Sequence, residues 1–235
     1  SFRERTGLSM PALKAKSKET ARQDRGLEQV HSYRSKAMTP EDRELARQRL
    51  LKPDGEFTEA ELKALEERYD QEMEQVDERL RAAGEADPKV KDQLAWRDEL
   101  DRFDDLPRFE REKLLADIGR STNTDPPPKD LAEARKLLNQ SLQSAAGLSD
   151  KAFKRHDELR THEVQVRTWA TELPEKYRDP AKAEAFVAEQ AKRLRCEPGE
   201  VMDKLAAVDP ETLDDPALKA AAKSVQKRRL KVEKD

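Results

Sequence analysis

Apolar and polar residues follow their most regular pattern between residues 57 and 83. Seven apolar side chains recur there at steps of three and four: Leu62, Leu65, Tyr69, Met73, Val76, Leu80 and Ala83. This spacing places them along one side of an α-helix. Almost every other position is charged or Gln, so the apolar stripe is narrow and close to the seam of a coiled coil. The pattern predicts a long helix whose stripe must be covered by another helix.

The same reasoning extends along the chain. Asp87-Pro88 opens a second apolar pattern, and a short connection between two helices makes them antiparallel neighbours, so residues 58–103 are predicted to form a helical hairpin. A shorter helix is predicted around 108–118, and a second hairpin from helices at 131–145 and 149–173. We therefore predict an all-α fold, an elongated multi-helix assembly with a long helical hairpin and a second helical subdomain.

Charge and proline divide the chain into four predicted regions. Residues 1–38 are basic with sparse apolar residues, which predicts a loosely ordered arm. Residues 39–120 are the acidic helical hairpin region, and the Pro-rich stretch 121–128 is the predicted linker. Residues 129–235 form the second helical region and end in a basic run. The basic head and the acidic middle are able to attract each other or two different partners.

The composition excludes several classes of protein. Charged residues make up 41% of the chain and only 7 of its 235 residues are Gly. Few glycines are therefore available for the tight turns of β-hairpins. The single cysteine, Cys196, excludes an intrachain disulfide and gives no reason to expect an oxidising compartment. No apolar run is long enough to cross a bilayer. We expect a cytoplasmic protein without membrane contact.

Catalytic and nucleotide-binding motifs are missing from the sequence. It has no glycine-rich phosphate loop, no nucleophile elbow and no pair of His residues one helical turn apart. His156 and His162 are six residues apart and lie on different sides of a helix, and His162 is expected to be a semi-buried, hydrogen-bonded histidine on the apolar stripe. With 50 Asp and Glu in the chain, acidic pairs carry almost no information. We expect no enzyme, no catalytic residue, no metal and no cofactor.

One local pattern points toward nucleic acid. Apolar spacing across 191–205 resembles a helix-turn-helix, although Arg195 occupies the turn position that is usually Gly, and Glu200 and Asp203 would repel phosphate. A plain corner between two helices is the alternative. Basic residues near both ends add to the nucleic-acid interpretation. Its candidate contacts are Lys14, Lys16, Lys18, Arg195, Lys227, Arg228 and Arg229.

These observations favour a non-catalytic scaffold or adaptor that binds another protein, or a second copy of itself, through amphipathic helix faces. The candidate partner-binding residues are Leu65, Tyr69, Met73 and Val76, and the alternative for these four is burial inside the hairpin. A nucleic-acid-associated accessory protein, which uses the basic termini and the 191–205 corner, is the second interpretation.

Overall fold

The structure is a computed structural model that describes residues 10–232. This part of the chain contains ten α-helices, four single 3-10 turns and no strand, which confirms the predicted all-α class. The helices are α1 (Met10–Arg34), α2 (Pro40–Gln48), α3 (Glu59–Ala86), α4 (Pro88–Leu100), α5 (Arg108–Ser121), α6 (Leu131–Ala145), α7 (Asp150–Glu172), α8 (Pro180–Leu194), α9 (Val201–Ala207) and α10 (Pro216–Val232).

Side-chain caps fix where several helices begin. The Thr58 hydroxyl accepts the backbone N–H of Glu61 at 3.2 Å, and the Glu61 carboxylate accepts the N–H of Thr58 at 2.7 Å. This reciprocal capping box starts α3 at the position that the sequence predicts. Asp87 and Asp179 cap the helices that follow them, each with Pro at the first helical position. Local sequence therefore sets these helix boundaries.

The predicted hairpin of α3 and α4 is present. The α3 helix continues through Gly84 to Ala86, two residues further than the pattern suggests. A Cβ on Gly84 would lie 2.9 Å from Cδ1 of Leu94, so the absence of a side chain there lets α3 and α4 approach closely. The apolar stripe of α3 is buried from Leu62 to Leu80, and Ala83 is partly buried.

Residues 10–34 form a continuous helix, so the prediction of a loosely ordered arm at 1–38 is corrected for these residues. The second half of α1 packs on α3 and buries Leu27 and Val30. A Cβ on Gly26 would lie 2.6 Å from a methyl group of Leu65, so a glycine at this position allows the two helices to touch. Residues 1–9 of the predicted arm lie outside the described part of the chain.

Buried apolar side chains form three clusters. The first cluster lies between α1 and α3, the second joins the end of α3 to α4, α5, α6 and the start of α7, and the third joins the end of α7 to α8, α9 and α10. Helix α7 contributes to all three through Leu159, Phe153 and Val166 respectively. This helix connects the parts of the fold.

The Pro-rich stretch 121–128 does not divide the core as predicted. The second cluster includes residues from both sides of it, and Pro128 is itself buried. Helix α6 packs on α4 and α5, whereas α7 packs mainly on α8 and α3, so these two helices do not form the predicted second hairpin. None of the helices within residues 10–232 has the length and apolarity needed to cross a bilayer.

Candidate functional site

The predicted partner-binding residues lie in the interior of the chain. Leu65, Tyr69 and Val76 are each 1% exposed and Met73 is 7% exposed. The Tyr69 hydroxyl lies 2.9 Å from Nδ1 of His31, a buried residue of α1. This arrangement matches the alternative of burial within the hairpin, which α1 completes. A partner is therefore unable to reach these four side chains in the folded chain.

The basic residues of the nucleic-acid interpretation are spread over the fold. Lys16 and Lys18 are exposed near the start of α1, and the side chain of Lys14 falls outside the described part of the chain. Lys18 lies about 24 Å along the helix from the end of α1. Only the segment after that end reaches the third cluster, which contains α10. The structure does not bring the basic head and the basic tail together.

The basic run on α10 is partly engaged within the chain. Lys227 and Arg228 are exposed, whereas Arg229 donates hydrogen bonds to Glu172 at 3.3 Å and to Asp203 at 2.7 Å. Arg229 therefore fastens α10 to α7 and α9. A side chain that holds two carboxylates has little capacity left for a phosphate group.

The 191–205 corner is a tight turn inside the third cluster. Arg195 ends α8 with a φ of 49°, in the left-handed region where glycine is usual. Helix α9, which would be the recognition helix, has only seven residues and turns its apolar side inward. Its buried residues are Val201, Met202 and Leu205. The outward-facing Asp203 carries a charge that duplex DNA would repel.

Helix α7 makes polar contacts through buried side chains that the sequence pattern did not reveal. Arg155 is 5% exposed and donates hydrogen bonds to Glu28 of α1 and, at 2.6 Å, to Glu72 of α3. His162 lies 2.9 Å from the Glu184 carboxylate of α8, as expected for a semi-buried histidine with a partner. Buried charged side chains persist when each has a partner. These pairs hold α7 to its neighbours.

Glu184 also binds α2. Arg43 of α2 donates a hydrogen bond to the Glu184 carboxylate at 2.5 Å. Burial disfavours the ionised carboxylate, but hydrogen bonds from His162 and Arg43 outweigh it and lower the pKa of Glu184. The carboxylate is therefore ionised at neutral pH and acts as an anchor for α2.

None of the nine residues of α2 is fully buried, and ion pairs contribute to the attachment of this helix. Asp42 pairs with Lys192 of α8, and Arg47 donates to Glu66 of α3 at 2.9 Å and also pairs with Glu59. The space left between α2 and α8 is a groove.

The groove between α2 and α8 has a volume of about 750 Å³. Its apolar lining consists of Ala37, Met38, Leu45, Ala46, Ala188, Ala191, Cys196 and Pro198. Leu45 is 52% exposed, and it is one of three large apolar residues with substantial exposure among the described residues. An apolar side chain at the edge of an apolar groove is typical of a surface that binds a partner.

Some of the charged side chains around the groove have hydrogen-bond or ion-pair partners and others do not. Asp42 is paired with Lys192, and Glu200 accepts the backbone N–H of Glu197 at 3.1 Å. The guanidinium groups of Arg49 and Arg195 have no carboxylate partner within residues 10–232. Asp42 and Lys192 offset each other, and Glu197 and Glu200 equal Arg49 and Arg195 in number, so the lining has no net formal charge. The two guanidinium groups are nevertheless available to carboxylates of a partner.

Sequence reasoning recovered only part of this site. Of the residues that line the groove, it singled out Arg195 as a turn residue and Glu200 as a residue that would repel phosphate. It did not identify the groove, since the exposure of Leu45 depends on how far α2 stands from α8. Comparison of the chain with protein-family models, with curated proteins and with solved structures gave no match.

Proposed function

We propose that this chain is a non-catalytic adaptor that binds an acidic amphipathic helix of another protein in the groove between α2 and α8. The observation that carries the proposal is the half-exposed Leu45 at the edge of an apolar groove that two arginines without carboxylate partners flank. This retains the adaptor interpretation of the sequence. It replaces the α3 stripe with a surface that a partner can reach.

The apolar lining favours a helix as the occupant. Recognition of a helix in a groove relies on apolar side chains at steps of three and four residues that enter a hydrophobic cleft. The lining alternates small residues, Ala188 and Ala191 on α8, with the larger Met38 and Leu45 on the opposite wall. Small side chains on one wall leave room for the larger side chains of a partner helix.

The two arginines without carboxylate partners favour a partner with acidic side chains. Arg49 and Arg195 lie at the groove, and a carboxylate on the partner would give each a charge-assisted hydrogen bond. Exposed pairs of this kind contribute roughly a few-fold each to affinity and weaken as salt rises. Complementary charge therefore sets the orientation and specificity of the partner more than its affinity.

The test uses two synthetic amphipathic helices of the same length with Leu at steps of three and four. The polar positions of one peptide are Glu and those of the other are Lys. We expect the protein to bind the Glu peptide in a fluorescence anisotropy titration and to bind the Lys peptide at least tenfold more weakly. Leu45→Glu should weaken binding of the Glu peptide at least tenfold, because it places a charge against the apolar face of the peptide.

Leu230→Glu is the matched control, because Leu230 is 56% exposed on α10 and does not line the groove. This variant should bind the Glu peptide as the unmodified chain does. Failure to bind either peptide would contradict the proposal. Tight, salt-dependent binding of duplex DNA that Lys227→Glu and Arg228→Glu abolish would favour the nucleic-acid interpretation instead.

A further inference from the structure

A second cavity lies on another part of the fold, between α3, α4 and α7. Its volume is about 790 Å³, within the range of pockets that hold small molecules. The apolar part of its wall comes from Leu80, Gly84, Pro88 and Leu94. None of these residues lines the groove between α2 and α8, so the two sites are separate.

Two polar side chains in the lining of this cavity are almost fully buried. Arg97 of α4 and His156 of α7 are each 5% exposed. Arg97 donates a hydrogen bond from Nη2 to the Asp157 carboxylate at 2.6 Å, and its guanidinium lies 5.4 Å from the centre of the Phe153 ring. Nε2 of His156 lies 2.7 Å from the Asp77 carboxylate. Each side chain thus has one carboxylate partner.

Each of these two side chains keeps one buried nitrogen without a hydrogen-bond partner within residues 10–232. These nitrogens are Nε of Arg97 and Nδ1 of His156. A buried polar atom that makes no hydrogen bond is destabilising, and such atoms are uncommon in folded proteins. Both atoms belong to residues that line one cavity, which favours a binding site for a polar group there.

The chemistry of the two nitrogens defines that group. A carboxylate only accepts hydrogen bonds, so Nε2 of His156 carries the proton that Asp77 accepts. Burial lowers the pKa of His156 despite the hydrogen bond to Asp77, and the neutral ring then has a lone pair on Nδ1. Nε of Arg97 is a donor. A ligand group that satisfies both nitrogens must therefore accept one hydrogen bond and donate another.

We infer that this cavity binds a small, uncharged, apolar molecule with a hydroxyl group, of which alkylphenols are the test class. The hydroxyl oxygen accepts from Nε of Arg97, and its hydrogen is donated to Nδ1 of His156. A carboxylate is unable to donate to Nδ1 and an ammonium is unable to accept from Nε. The apolar body packs on Leu80 and Leu94. Both nitrogens lie beneath the cavity wall, so binding includes small rotations of these two side chains.

The experiment compares three probes that share one apolar body: 4-propylphenol, propylbenzene and 4-propylbenzoate. Each is titrated into the full chain, and dissociation constants are measured by NMR from shifts of the backbone amides of α3 and α4. We expect 4-propylphenol to bind roughly tenfold more tightly than propylbenzene, which corresponds to its hydrogen bonds. The phenol alone should also shift the Nδ1 resonance of His156.

Arg97→Lys tests the role of Nε. Lysine keeps the positive charge for Asp157 but has no second nitrogen, so the preference for the phenol should fall to about twofold or less. Arg81→Lys is the matched control at the exposed edge of the same cavity and should leave the preference unchanged. If Arg97→Lys does not fold, the three-probe comparison and the Nδ1 shift in the unmodified chain still test the inference. Equal binding of the phenol and propylbenzene, or tightest binding of the benzoate, would overturn it.

Discussion

A double-mutant cycle at the contact of α1 with α3 tests the packing of the first helix. The two changes are Gly26→Ala and Leu65→Ala. A Cβ at position 26 would lie 2.6 Å and 3.3 Å from the two methyl groups of Leu65, and 2.9 Å from the ring of Phe57. Two of these three close contacts therefore involve the side chain that the second change removes.

The expected free energies of unfolding follow from these contacts. Overpacking by Gly26→Ala costs about 1–3 kcal/mol, and the better helix propensity of alanine offsets roughly 1 kcal/mol of it. Leu65 is fully buried, so Leu65→Ala should cost about 3 kcal/mol. In the double variant the new methyl group occupies part of the vacated space. We expect the double variant to be less destabilised than the sum of the two by about 1–2 kcal/mol.

Urea denaturation followed by far-ultraviolet circular dichroism measures the four free energies. Gly199→Ala is a control, because a Cβ there would meet only Gln165 at an ordinary distance of 3.6 Å, and we expect a change of less than about 0.5 kcal/mol. Additive effects of the two changes, within about 0.3 kcal/mol, would show that α1 does not pack on α3 at this position. That result would restore the loosely ordered arm that the sequence alone predicts.

Four further changes test other parts of the fold. Val76→Asp buries an unpaired carboxylate at a position that is 1% exposed, and cooperative thermal unfolding should be lost. Arg155→Met removes the hydrogen bonds to two carboxylates and should cost about 2–3 kcal/mol in urea denaturation, less if those carboxylates rehydrate. Hydrogen bonds from the Thr58 backbone and from Arg22 lower the pKa of Glu61 to about 2, so its stabilising effect is complete above about pH 4.5 and lost as the pH falls toward 2; Glu61→Gln should flatten acid denaturation in that window. Burial lowers the pKa of His156, so the unfolded chain takes up a proton first as the pH falls below about 6.5; His156→Gln should reduce the loss of stability between about pH 7 and 5.

The sequence predicts where the helices of this chain lie better than it predicts which helices pack against each other. Helix starts depend on neighbouring residues, as at Thr58 and Glu61, and the stripe of α3 depends on spacing alone. The packing of α1 escaped prediction because it depends on Gly26, a residue that weakens a helix locally but permits a close contact with Leu65. Contacts between helices are a property of the assembled chain.

The charged residues of α7 show a second limit of sequence reasoning. Arg155 and His156 read as surface residues, yet each is 5% exposed because it meets a carboxylate on another helix. With 50 acidic residues available, nothing in the spacing indicates which carboxylate that is. The groove beside Leu45 and the cavity beside Arg97 were unpredictable for the same reason. Each includes at least one helix that is distant in the sequence from the others.

The polar contacts of α7 have a consequence for how substitutions are tolerated. Apolar side chains can repack in more than one arrangement, whereas a guanidinium and a carboxylate form hydrogen bonds only at a defined distance and orientation. A shift of α7 by a single residue would mismatch Arg155 with Glu72 and His162 with Glu184 at the same time. These contacts therefore fix the position of α7 along its axis. Exchange of one polar residue for another at these positions should destabilise the fold as much as a substitution in the apolar core.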